Sequence, residues 1–107
     1  MIKVFISERA EEDLINQFRW YVDNASGEVA ERFLLTFDST LQKLTRSPRL
    51  GRLRRFRARK LANIRSFALS RPFDLHLIFY RFTEARLSVE RVMHGSRDLP
   101  RRIAESP

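Results

Sequence analysis

The chain has 107 residues, 43% of them hydrophobic and 32% charged, a formal net charge of +8 and no cysteine. That length holds one compact core and leaves no room for a second domain of ordinary size, so one domain over residues 1–107 is expected, with 95–107 as a tail or short helix. Without thiols, disulfides, thiolate chemistry and Cys-based zinc sites are excluded, and no apolar run approaches a membrane span or a signal-peptide core; a soluble, cytoplasmic chain is expected.

In chain order, "IKVFI" near the start reads as a short β-branched and aromatic strand. Ser7 offers a helix N-cap, and Glu8, Glu11, Glu12 and Asp13 place negative charge where a helix dipole favours it. Ala10, Leu14, Phe18 and Tyr21 recur at helical spacing, flanked by Ile15 and Val22, which predicts a helix to about Val22. The "DNASG" segment breaks it. A second helix starts at Ser26 or Gly27, with an apolar face of Ala30, Phe33, Leu34, Phe37, Leu41 and Leu44, and Pro48 and Gly51 stop it. So short a connection makes an antiparallel helical hairpin.

The period then changes. "NIRSFAL", "FDLHLIFYRF" and "RLSVERVMH" are rich in strand formers and are separated by Ser70-Arg71-Pro72 and Thr83-Glu84-Ala85, the pattern of an antiparallel meander. The middle run is apolar on both faces and is expected at the centre of the sheet. Asp98 can cap one further turn of helix, with Pro100 tolerated near its start. The order is β-α-α-β-β-β, an α+β fold with the helical hairpin packed on a small, antiparallel-dominated sheet.

Charge is split along this order. Residues 1–45 carry five basic residues against eight acids, and residues 46–107 carry sixteen against five. A half so rich in arginine suits a polyanionic or acidic partner in bidentate geometry. The cations are densest in "GRLRRFRARK", where Arg52, Arg54, Arg55, Arg57, Arg59 and Lys60 have no acid among them. If that segment is extended, Arg55, Arg57 and Arg59 project to one side and Phe56 and Ala58 to the other, a charged comb with an apolar back.

Five stretches in order carry a resemblance: "AEEDL" (10–14), "SPRLG" (47–51), "IRSF" (64–67), "FDLHLIFYR" (73–81) and "VERVMHGSRDL" (89–99). On them the chain resembles the RelE/ParE superfamily of bacterial toxin-antitoxin toxins. RelE-like members cut messenger RNA in the ribosomal A site; ParE-like members act on DNA gyrase. Ribonuclease members commonly carry a tyrosine shortly after the last His-Arg motif, whereas here Arg97-Asp98-Leu99 runs into Pro100, so the ending looks like the ParE branch. The resemblance implies a gyrase-inhibiting toxin that needs no catalytic residues, cofactor or metal. It also implies a ParD-like antitoxin partner in a hetero-oligomer, and operator DNA bound only indirectly through that antitoxin.

Site residues follow as expectations. The antitoxin is expected on Arg52, Arg54, Arg55, Arg57 and Arg59 and on Phe18, Tyr21, Phe33 and Phe37 of the helices, with the target on Arg97, Asp98, Arg101 and Arg102. The alternative of a metal-independent endoribonuclease needs a base, an acid and cations around the phosphorane; its candidates are His94 and Tyr80 with Arg65, Arg81 and Arg91. His76 reads as a structurally paired side chain, and the three arginines equally as braces of the sheet. A non-toxic binding module of the same fold is the third reading.

Overall fold

A computed structural model describes residues 2–95. Strand β1 (Lys3–Ile6) leads into helices α1 (Glu8–Asn24) and α2 (Gly27–Arg46), followed by strands β2 (Arg52–Leu53), β3 (Arg65–Ala68), β4 (His76–Phe82) and β5 (Arg86–His94). The sheet order is β1-β5-β4-β3-β2. β1 runs parallel to β5 and every other pairing is antiparallel. This is the expected α+β arrangement, with a two-residue strand, β2, added at one edge.

Local chemistry sets the helix ends. The Ser7 hydroxyl accepts from the Ala10 N–H and the Ser26 hydroxyl from the Val29 N–H, each satisfying a donor that the first turn leaves open. Helix α1 continues past Val22 to Asn24, and Ala25 N–H closes the last turn on Tyr21 O. On α2, Ala30, Phe33, Phe37, Leu41 and Leu44 are buried as their spacing predicts. Leu34 does not join them: it is 37% exposed, and the buried stripe runs instead through Thr40. Strand β4 starts at His76, later than its apolar run suggests, because Phe73–Leu75 belong to the turn after the cis Arg71–Pro72 peptide.

The two apolar faces of β4 serve two cores. Ile78 and Tyr80 pack with Phe33, Phe37, Leu44, Leu87, Val89 and Val92 under the helical hairpin. Phe79 faces the other way and packs with Leu61, Ile64 and Met93 beneath the segment that links β2 to β3.

Two polar locks position these layers. β1 covers only Arg86–Val89 of β5, and beyond it α1 supplies side chains where a strand would have been. The Ser7 hydroxyl donates to Glu90 O (2.8 Å), Gln17 Nε2 donates to Val92 O (2.8 Å), and Val92 N–H donates to Asp13 Oδ2 (2.9 Å). Asp13 also accepts two bonds from Arg91, Nε to Oδ2 at 2.9 Å and Nη2 to Oδ1 at 3.0 Å. A register shift between Phe79 and Tyr80, which leaves Glu90 without an opposite residue, accompanies this contact.

The second lock is at Tyr80, whose hydroxyl donates to Pro48 O (2.6 Å) and accepts from Gly51 N–H (2.8 Å). A Cβ on residue 51 would stand 2.2 Å from that oxygen, so the close approach requires glycine. Burial pushes the phenol above its ordinary 10.0, while the Gly51 N–H and Arg65 pull the other way.

Asp13→Ala is expected to destabilise the fold by about 3 kcal/mol in urea titrations, since it strips the carboxylate from a buried arginine. Tyr80→Phe should cost about 1–2 kcal/mol at neutral pH for the two lost bonds. Because the native phenol keeps its proton above the unfolded-chain value, the Tyr80 contribution is full below about pH 10 and fades as pH rises through the native value. The stability gap between wild type and Tyr80→Phe should therefore narrow in denaturation curves taken above about pH 10.

Candidate functional site

The basic segment leaves the sheet edge and returns over its second face. Arg54 N–H still pairs with Ile64 O (2.9 Å), a 3-10 turn covers Arg59–Leu61, and Asn63 takes a left-handed φ of 64° to re-enter β3. Phe56 and Ala58 face inward and pack against the second core, while Arg55, Arg57 and Arg59 stay exposed. The charged comb therefore exists, with Phe56 and Ala58 as its backing.

Two internal contacts hold it. Arg81 reaches up from β4 and donates to the carbonyls of Ala62 (3.0 Å) and Lys60. The Arg54 guanidinium lies 5.9 Å from the Phe79 ring centroid and 6.0 Å from that of Phe56, and it donates to Ser66 Oγ at 3.3 Å. Among the described residues, ion pairs join only Arg81 to Glu90 and Arg91 to Asp13. None of Arg52, Arg54, Arg55, Arg57, Arg59 or Lys60 meets a carboxylate there. Cations this close repel one another, and an anionic partner would relieve that.

The remaining candidate residues divide by location. Arg65 donates to Gly51 O (2.8 Å) and Arg49 O (3.3 Å), Arg81 holds the 3-10 turn, and Arg91 is bound to Asp13. All three act as braces. Tyr80 is fully buried and tied to Pro48 and Gly51. His94 lies opposite His76 at the far end of β4, their ring centroids 5.6 Å apart. Tyr80 is four residues along the strand from His76, about 13 Å away, so His94 and Tyr80 are not brought to one reacting centre.

Phe33 and Phe37, expected to face the antitoxin, are only 0% and 3% exposed. They form the floor of the first core, so that expectation is corrected: neither can touch a partner without unfolding. Phe18 and Tyr21 remain partly accessible. Arg97, Asp98, Arg101 and Arg102 lie outside the described residues.

Sequence reasoning missed two features. One is Asp13, which looks like one more acid in a helix start and is in fact the partner of Arg91. The other is a cleft of about 590 Å³ at one end of α1, lined by Gln17, Trp20, Tyr21, Leu75, His76 and His94 among others. Tyr21 Oη lies 2.8 Å from His76 Nε2 there, and Trp20 is 52% exposed. A large exposed aromatic flanking a helix stripe was the available signal. No group of three or more His, Asp or Glu among the described residues could hold a metal ion. No helix there is long and apolar enough to cross a membrane.

The fold has a solved counterpart. A chain titled "Chromosomal ParDE TA system from P. aeruginosa" superposes with a TM-score of 0.70 over 88% of this chain and 96% of that one. At 17% identity this likeness speaks for the fold alone. No curated protein sequence matches the chain. The family described as "ParE toxin of type II toxin-antitoxin system, parDE" matches residues 4–99, from within β1 past the end of β5. The chain thus belongs to the ParE toxin family of type II toxin-antitoxin systems.

Proposed function

We propose that this toxin acts on DNA gyrase in the cytoplasm and is held silent by a ParD-like antitoxin. The family match over residues 4–99 carries the reading. The chemistry of the fold supports it. A ribonuclease of this size needs a base, an acid and cations converging on one phosphate. Here Tyr80 is locked in the core, Arg91 is occupied by a carboxylate, and Arg65 and Arg81 are spent on backbone carbonyls. A gyrase poison needs none of these as catalysts, because the damaged DNA comes from the topoisomerase it traps. What such a protein needs is a rigid body with binding surfaces, and the cations of the comb are among those left over for binding.

The antitoxin reading draws on the same surplus. An acidic partner covering Arg52, Arg54, Arg55, Arg57 and Arg59 would relieve their mutual repulsion and silence the toxin by occupation. Operator DNA would then be reached through the antitoxin.

Purified toxin is expected to block supercoiling by gyrase and to lose that effect when its antitoxin is added. Expression alone should give filamentous, DNA-damaged cells with intact messenger RNA, and His94→Ala should keep the toxicity. Rapid loss of messenger RNA that His94→Ala abolishes, with gyrase unaffected, would instead establish the ribonuclease.

A further inference from the structure

Among the described residues, no strand lies beyond β2 at its edge of the sheet. β2 pairs with β3 alone and stands at the opposite end of the sheet from β1. Antiparallel alternation decides which of its backbone groups are used. Arg54 N–H is bonded to Ile64 O, and Arg52, two residues earlier, stands opposite Ser66. Residues 52 and 54 therefore point their backbone groups at β3, and Leu53, with Arg55 beyond the strand end, points its own outward. No backbone hydrogen bond joins Arg55 to another described residue outside the regular elements. Such an edge is a template for another strand.

So short a strand with charged neighbours discourages pairing with a neutral strand, but every one of these charges is a cation, which leaves the edge to an acidic one. Arg54 lies over Phe79 and bonds Ser66, which puts Arg52 and Arg54 on the second-core face. Leu53, opposite Arg65, is on the hairpin face and is 41% exposed. A concavity of about 500 Å³ follows the edge, lined by Arg52, Leu53, Arg54, Arg55 and Phe56. The same short stretch thus offers free backbone donors and acceptors, cations on one face and an apolar side chain on the other.

We infer that an extended acidic peptide docks here as a sixth strand. Its backbone pairs with Leu53 and Arg55, its carboxylates at alternate positions meet Arg52, Arg54 and the start of the comb, and its intervening apolar residues cover Leu53. Peptide fits better than nucleic acid for two reasons. A phosphate backbone can accept from the outward N–H groups but has no donor for the carbonyls beside them and no apolar group for Leu53. The ring of Phe56, the aromatic lining this concavity, is turned into the core, so the edge offers a base no stacking platform. That the peptide belongs to the antitoxin rests on the function proposed above; the chemistry of the edge does not. Because the comb overlies the face opposite the helical hairpin, a segment seated here leaves α1 and α2 open to another part of the same partner.

The test uses the full-length toxin and a fluorescent synthetic peptide of alternating glutamate and valine, compared with its glutamine-valine counterpart. Anisotropy at low salt should show the glutamate peptide binding about tenfold tighter or more, with the advantage shrinking as salt is raised. The double variant Arg52→Gln/Arg55→Gln, at two exposed positions, should remove about tenfold of that affinity. Hydrogen exchange supplies the readout that charge alone cannot: the Leu53 and Arg55 amides should slow in the saturated complex. Equal binding of the glutamine peptide overturns the inference, and so does unchanged exchange at both amides whatever the affinity. Oligothymidylate binding more tightly than the peptide, with those amides still exchanging, marks a nucleic-acid surface and overturns it as well. Gyrase plays no part in these measurements, so failure here leaves the proposed target standing, and a chain inert on gyrase can still bind the peptide.

Discussion

The carboxylate of Asp13 is the contact on which the seating of the helices depends. β1 is too short to line β5 to its end, and the uncovered stretch carries backbone groups that must find partners. Helix α1 provides them through Ser7, Asp13 and Gln17. Of these only Asp13 bears charge, and it binds Arg91 and the next amide together, which neutralises a cation that is 7% exposed. A buried ion pair is weak evidence for net stability, but breaking one is costly. The pair acts as a registry device: it sets α1 against one position of a bulged strand, and α2 follows through the tight turn.

With the hairpin in place, the molecule divides into two unlike faces. One is a conventional core under two amphipathic helices. The other is a smaller core roofed by a segment whose outward residues are arginines. The roof is held by Phe56, Ala58, Leu61 and Ile64 from its own underside and by Arg81 beneath. Burial of those apolar groups opposes the repulsion among the cations above them. The acids that could have matched them sit largely on α1 and α2, and two of the chain's acids, Asp13 of α1 and Glu90 of β5, are committed to Arg91 and Arg81. Charge imbalance is thus a property of the layer order, and it leaves the comb available to an outside anion.

The stretches that carry the family resemblance meet one another in space. Asp13 of "AEEDL" binds Arg91 of "VERVMHGSRDL". Pro48 and Gly51 of "SPRLG" hold Tyr80 of "FDLHLIFYR", and Arg65 of "IRSF" bonds the Gly51 carbonyl. Their residues are largely architectural. Tyr80, Arg65 and Arg91, candidates for chemistry by residue type, thus serve as contacts between those stretches. What the described residues leave exposed are surfaces: the cationic comb, the β2 edge and the cleft beside Trp20.

The sequence by itself determined the elements other than β2 and their order, because each is written in local terms: Ser7 and Ser26 as caps, spacing by three and four in the helices, runs of strand formers between turn residues in β3, β4 and β5. It also determined the comb, since alternating arginine and apolar residues needs only an extended backbone to separate them. Only the tertiary structure decided that Phe33 and Phe37 line the core instead of a partner's groove, that Leu34 points outward, and that Arg65, Arg81 and Arg91 are braces. Those outcomes depend on contacts between distant positions, 78 residues apart for Asp13 and Arg91. Nothing in the neighbourhood of a residue specifies which far carboxylate or carbonyl will stand opposite it. β2 was invisible for the same reason: two residues carry no period, and they become a strand only because β3 lies alongside.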